Sequence, residues 1–390
     1  MSAAAVAFWV ALTLLAYTFA GYPLLMAAWA RLRPRPLHPQ PWSPRVAIVV
    51  VMHNEEHHVL AKLRTCLDQD YRAAGLRLVI ASDGSTDRTD ALVAACGDPR
   101  VTLLAFPERR GKAACLNDAV AACDEEVIVF TDARQALNAS AVRRLVQSLS
   151  DPDVGVVSGE LLFQAEGVRD FGQGVDAYWR YEKFIRRNEA RVHSVPGATG
   201  ALYAMRRSAF RPIARETILD DVAIPMQACL AGLRVIFDGR ALAFDKPSTA
   251  AASERRRKVR TLAGNFQLLT LLPQLLLPWR NPILLQFVSH KLLRLLAPWA
   301  MAVALLASAV LAWQGSVFYL VVLVAQLAFY GLPLFALAWP ALQSRRVVRV
   351  VQAFVAMNWF AVLGLVEFMN NREAYLWRSA AGPGLEGEGR

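Results

Sequence analysis

Arg45-Val46-Ala47-Ile48-Val49-Val50-Val51 is a short run of alanine and β-branched residues opened by one cation and closed by the polar His53-Asn54-Glu55-Glu56. An apolar run of this length without alternation predicts a strand buried on both faces. Outward from it the pattern repeats. Residues 55–67 have helical periodicity, 76–81 form a second strand, and 86 onward forms a helix with a polar start, capped by Ser85 or Thr86. Strands are expected at 101–105, 127–131 and 154–157, with helical patterns near 112–123 and 139–149 between them. Strands alternating with short helices predict a mostly parallel, doubly wound α/β sheet, which binds ligands at the carboxyl ends of its strands. The polar clusters at 53–56, 82–87 and 131–134 fall there.

The chain's 390 residues are 55% hydrophobic, above the usual share for a soluble domain. The excess lies in the first thirty or so residues and in roughly the last hundred and twenty. Residues 1–30 carry no charged side chain and are long enough to span a bilayer. A cleaved signal peptide fits less well, because the cations follow the apolar run instead of preceding it. Two more spans are expected within 295–344, broken at 313–316, and another at 350–368; the proline-bearing stretch 262–279 reads as interfacial. The net charge is +11, and many of the extra cations flank apolar segments: Arg31, Arg33 and Arg35, Lys291 and Arg294, Arg345, Arg346 and Arg349. That placement fits the positive-inside bias and contact with membrane lipids, and argues against nucleic acid as a partner. The N-terminus is expected outside and the middle of the chain in the cytosol. Five cysteines with no CxxC pair point to small core residues in a reducing compartment.

Several residues are placed for chemistry. Asp83 ends the second strand, where a carboxylate either accepts hydrogen bonds from a nucleoside or serves a plain turn and cap. The His53 to His58 cluster matches no zinc spacing; Glu55 is its better ligand-reading group. Asp132 ends the strand 127–131, where a carboxylate suits Mg²⁺ or Mn²⁺ on a phosphate. Asp220 and Asp221 precede a helix and read either as caps or as a general base with a neighbour that raises its pKa. Arg257 and Arg260 share a helix face, forming either a solvated membrane-proximal edge or a diphosphate clamp. Tyr178, Trp179 and Tyr181 read as packing.

In this order these clusters, with Gly111-Lys112, Leu116-Asn117 and Gly197-Ala198-Thr199-Gly200-Ala201, resemble the family 2 glycosyltransferases over roughly residues 45–265. The resemblance implies a Rossmann-like GT-A catalytic domain in the cytosol, joined to α-helical transmembrane segments. The organisation expected is a transmembrane helix at 1–31, the catalytic domain at 32–258, an interfacial helix at 259–281, about three transmembrane helices at 282–371 and a tail at 372–390. It implies an inverting sugar transferase of the bacterial inner membrane that acts on a nucleotide sugar, with a UDP-sugar the first expectation. Its acceptor would be a lipid-linked or envelope glycan, and export or polymerisation proteins its partners. Carried over by position, Glu55, Asp83, Lys112, Asp132, Arg257 and Arg260 would bind the donor, Asp132 would hold Mg²⁺ or Mn²⁺, and Asp221 would be the catalytic base. Gly197, Thr199, Gly200 and Asp220 would shape the acceptor side. Arg134 stands in place of the second aspartate of the family's DxD element, and Thr261 in place of the tryptophan of its QxxRW element. The second change argues against a processive polysaccharide synthase; a membrane scaffold without catalysis is the other alternative.

Overall fold

The computed structural model describes residues 2–71, 75–163, 173–246, 251–343, 345–371 and 376. The expected tail lies, but for 376, outside the described residues. The main elements in chain order are α1 (Ala3–Leu32), β1 (Val46–Met52), α2 (Glu56–Leu67), β2 (Leu76–Asp83), α3 (Thr89–Ala94), β3 (Val101–Phe106), α4 (Lys112–Ala121), β4 (Val127–Phe130) and β5 (Ala136–Leu137). They continue with α5 (Ala141–Leu149), β6 (Val154–Phe163), α6 (Gln173–Val192), β7 (Tyr203–Arg206), α7 (Asp220–Leu230), β8 (Arg234–Asp245) and α8 (Ala251–Leu271). Three long apolar helices close the described chain: α9 (Leu284–Trp313), α10 (Val317–Ala338) and α11 (Arg346–Asn370).

The eight strands make one sheet in the order β3-β2-β1-β4-β7-β6-β8-β5. β1 pairs in parallel with β2, with Val46 opposite Leu76, and with β4, with Val46 opposite Val127. Every residue of β1 is buried, because successive side chains feed opposite faces. Ala47, Val49 and Val51 pack with α4 and α7; Val46, Ile48, Val50 and Met52 pack with α2 and α5. This is why the run that opens the sequence shows no polar alternation. β7 runs antiparallel to both β4 and β6, and the short β5 runs antiparallel to β8.

The helix expected from residue 86 begins at Thr89, and neither Ser85 nor Thr86 caps it. Ser85 Oγ bonds Ser82 and accepts the Asn54 N–H, and the Thr86 N–H goes to Asn54 Oδ1. Asp87 caps instead, taking the Thr89 N–H at 2.9 Å. The helix expected from residue 259 already begins at Ala251.

Among the described residues four helices, α1, α9, α10 and α11, are long and apolar enough to cross a membrane. α1 packs on α9 through Phe8, Ala11, Ala304 and Ala307. α8 lies against α11 where Gly364 leaves no room for a side chain: an added Cβ would sit 2.7 Å from Leu262 Cβ. α6 meets α1 through Ile185, Tyr22 and Met26. Trp179 packs on Phe163, and the Tyr181 hydroxyl donates to the Phe19 carbonyl.

Candidate active site

The carboxyl ends of β1, β2 and β4 converge, as the doubly wound pattern predicts. The His53–Glu56 turn follows β1, with Asn54 at φ 54°, and interlocks with the 82–87 turn after β2. The Glu55 carboxylate is buried, with its Oε2 3.0 Å from His58 Nδ1. Gly84 has φ +62°, and a Cβ there would meet the Arg109 nitrogen at 2.7 Å, so only glycine lets the 108–111 loop fold over this turn. Asp83 holds that loop. Its fully buried carboxylate accepts the N–H groups of Arg110, at 2.6 Å, and Gly111, at 3.0 Å. Asp83 therefore sets the start of α4, and with it Lys112, instead of presenting a free carboxylate.

Lys112 links the two acidic segments. Its Nζ lies 2.8 Å from Asp132 Oδ1 and 3.2 Å from Asp220 Oδ2. Burial alone would lower the pKa of this ammonium, but Asp132 and then Asp220 overcome it and hold it above the usual lysine range. Asp221 Oδ2 accepts the Gly200 N–H at 3.0 Å, and its carbonyl accepts the Ala198 N–H at 2.8 Å. Burial, then the adjacent charge of Asp220, pushes the Asp221 carboxyl up to about 6 against the pull of Lys112 and Lys291. A carboxylate tuned to this range can take a proton near neutral pH. An added Cβ on Gly200 would lie 3.2 Å from Asp221 Oδ2 and 3.6 Å from Asp132 Oδ2, so both carboxylates face this glycine.

The two basic candidates separate. Arg260 turns toward the acidic group; burial lowers its pKa, opposed by Asp220, Asp132 and Asp221. Arg257 is exposed and paired with Glu254 at 2.7 Å. Gly197 has φ +125° and stands beside Val222, while the Thr199 N–H donates to Ser158 Oγ at 3.0 Å.

Three residues were not singled out by sequence reasoning. Lys62 of α2, 1% exposed, donates to Thr131 Oγ1 at 2.9 Å and to the Gln135 carbonyl at 2.6 Å. It thereby clamps both ends of the turn that carries Asp132. Arg186 of α6 donates to Ser158 Oγ at 2.9 Å and to the Gly197 carbonyl at 3.3 Å. Tyr203, stacked on Phe130 at 4.6 Å, buries a hydroxyl that has no hydrogen-bond partner among the described residues and lies within electrostatic reach of the three aspartates. A lysine, an arginine and a tyrosine far apart in the chain give no local signal for such roles; only the sheet and the helices packed on it bring them together.

Among the described residues no three His, Cys, Asp or Glu side chains gather into a metal-ligand set. Asp132 still fits a hard divalent cation. One of its oxygens takes Lys112 and the other faces Gly200, and Mg²⁺ is commonly held by one or two carboxylates plus substrate phosphates.

A Rossmann-like α/β domain with an acidic site at its strand ends, joined to long apolar helices, is what this fold defines, and comparison with known proteins specifies it. Residues 47–213 match the model of Glycosyl transferase family 2, and the chain belongs to that family. It is 29% identical over 182 residues to an N-acetylglucosaminyltransferase of Azorhizobium caulinodans, covering 45% of each chain. It is 30% identical over 124 residues to an N-acetylglucosaminyltransferase of Bradyrhizobium elkanii, covering 30% of this chain and 67% of the relative. The chain thus spans less than half the length of the Azorhizobium relative. Among solved structures it resembles the mannosyltransferase PcManGT from Pyrobaculum calidifontis, in complex with GDP-Man and Mn²⁺. There the identity is 25% and the TM-score 0.70, over 94% of this chain and 99% of the other. The GT-A fold with membrane-type helices stands as expected.

Proposed function

We propose that the chain is an inverting glycosyltransferase of the bacterial inner membrane, with its catalytic domain on the cytosolic face. It moves a sugar from a nucleoside diphosphate sugar to a hydroxyl of a lipid-linked or envelope glycan. The observation that carries this reading is Asp221, pushed up to about 6 and held against Gly200 beside the Lys112–Asp132 pair.

In the reaction the acceptor hydroxyl gives its proton to Asp221 as its oxygen bonds the anomeric carbon. The bond from that carbon to the diphosphate oxygen breaks on the opposite side, its electron pair leaves with the diphosphate, and configuration inverts. Lys112 and Arg260 stand where they offset the growing negative charge. Mg²⁺ or Mn²⁺, held by Asp132 and the donor's phosphates, supplies further charge neutralisation when bound. Glu55 lines the nucleoside end, and Gly197, Thr199, Gly200 and Asp220 the acceptor end. Asp83 acts at one remove, through the loop that starts α4, and Arg257 lies at the rim.

The names of the rhizobial relatives support an N-acetylhexosaminyl donor, and the GDP-Man of the mannosyltransferase supports a GDP-hexose. The test is nucleoside diphosphate release by the full chain in nanodiscs with UDP-, GDP- and dTDP-sugars, Mg²⁺ or Mn²⁺ and lipid extract. Release from one donor with a product one sugar larger supports the reading. A long polymer would replace it with a processive synthase, and no release or nucleotide binding with any donor would sink it.

A further inference from the structure

α9 carries Lys291 in a π-helical turn, Val288–Leu292, close to the start of an apolar spanning helix. Such turns are frequent at functional sites, because they carry side chains off the regular helical path. This one is pinned on both sides of the helix. Ser289 bonds the Tyr17 hydroxyl at 2.8 Å, within the matching π turn Tyr17–Gly21 of α1. His290 bridges two carboxylates of α6, with Nδ1 2.8 Å from Glu189 Oε1 and Nε2 3.0 Å from Glu182 Oε2. Both ring nitrogens of His290 are thus taken up by carboxylates of α6. Arg294 also pairs with Glu182, so Glu182 and Glu189 are both engaged.

The other carboxylates nearby are likewise engaged. Glu160 is paired with Lys183 and Arg187, and Asp132 and Asp220 share Lys112. Two cations on the α6 and α9 side are, among the described residues, without a carboxylate in ion-pair contact. Lys291, half-buried, makes no hydrogen bond or ion pair there. Arg186 donates to the neutral Ser158 and Gly197 oxygens. Each lies within electrostatic reach of the other and of Asp221. A half-buried ammonium on a spanning helix, without an ion-pair contact among the described residues, is costly and marks a functional site. Two such cations next to the base form a place for an anion. Because one of them belongs to a spanning helix, the anion that reaches it is carried at the membrane surface.

We propose that Lys291 and Arg186 form the anion subsite of the acceptor, taking the phosphate or diphosphate that joins an acceptor sugar to its lipid while a hydroxyl of that sugar stands at Asp221. This rests on the transferase reading above. It narrows the acceptor from any envelope glycan to a phospholipid-linked sugar, and it explains why the catalytic domain needs α9 beside its base.

The test is equilibrium binding of radiolabelled dodecyl phosphate to the full chain in phosphatidylcholine nanodiscs. Lys291→Gln should weaken binding about tenfold or more, the scale of one charged hydrogen bond. Lys291→Arg should restore it, and both variants should bind UDP and GDP as the wild type does. Neither dodecanol nor phosphatidylglycerol in the nanodisc should compete. Unchanged dodecyl phosphate affinity in Lys291→Gln overturns the inference. So does loss of nucleotide binding in that variant, which assigns the cations to the donor, or equal competition by phosphatidylglycerol, which makes the site a general lipid contact. Failure of the transferase reading looks different: no donor is turned over, yet binding that depends on Lys291 persists.

Discussion

The Gly200 N–H and Asp221 Oδ2 are joined by a 3.0 Å hydrogen bond, which fixes this carboxylate against a stretch of backbone that has no side chain to shield it. Gly200→Ala places a methyl 3.2 Å from that oxygen, tighter than an ordinary contact. The expected result is a fall of about 10- to 100-fold in kcat/KM, the scale of a small misplacement in an active site, with an unaltered fold by circular dichroism. Gly200→Val should abolish transfer. Wild-type rates in Gly200→Val would show that the sugar does not pass this glycine.

In the proposed reaction Asp221 acts as a base, which requires it to be ionised. With its carboxyl pushed up to about 6, activity should rise with pH and level off above about 7, with about a tenth of the plateau left at pH 5. The sign for stability is opposite. The folded chain binds this proton more tightly than the unfolded chain, so the stability tied to this group is full at acid pH and is lost as pH rises through 6. Asp221→Asn should therefore abolish transfer while leaving Tm at pH 7 equal or slightly higher. A pH–rate profile and a melting series check both halves.

Lys112 and Asp220 pull that profile in opposite directions. Asp220→Asn removes the negative neighbour and should move the acid limb to lower pH; Lys112→Met removes the opposing cation and should move it to higher pH. Lys112→Met also strips Asp132 of its partner, so the KM for donor should rise. Acid limbs that do not move in either variant would mean that Asp221 is not the group being titrated.

Lys62→Met leaves two oxygens, Thr131 Oγ1 and the Gln135 carbonyl, without the buried ammonium that joins them. Each such loss costs about 1–3 kcal/mol, so Tm should drop by several degrees. Because the clamped turn carries Asp132, the Mn²⁺ concentration needed for half-maximal binding, read by electron paramagnetic resonance, should also rise. A lower Tm with unchanged Mn²⁺ binding would limit Lys62 to stability.

Much of this was legible in the sequence. The unbroken apolar run 46–51 specifies a strand covered on both faces, the strand ends place Asp83 and Asp132, and a helix start places the Asp220–Asp221 pair, because period and burial are local properties. The roles of polar groups were less legible, because they depend on partners far along the chain. Asp83 stands at a strand end where a ligand-reading carboxylate would stand, but the N–H groups of Arg110 and Gly111 occupy it. Arg257 and Arg260 share a helix face in the sequence, but Glu254 holds the first outside while the second turns toward the aspartates. Ser85 and Thr86 looked like caps, yet Asn54, thirty-odd residues earlier, competes for them. Lys291 read as a flanking cation, and only the packing of α9 against α6 sets it beside Asp221.

The most direct measurement of the central claim is nucleoside diphosphate release by the full chain in nanodiscs with Mn²⁺, the matched donor and lipid extract, wild type beside Asp221→Asn. The account predicts release in the wild type and a loss of at least about a hundredfold in the variant, the usual share of a general base, with nucleotide affinity unchanged. Equal release from both proteins would contradict it.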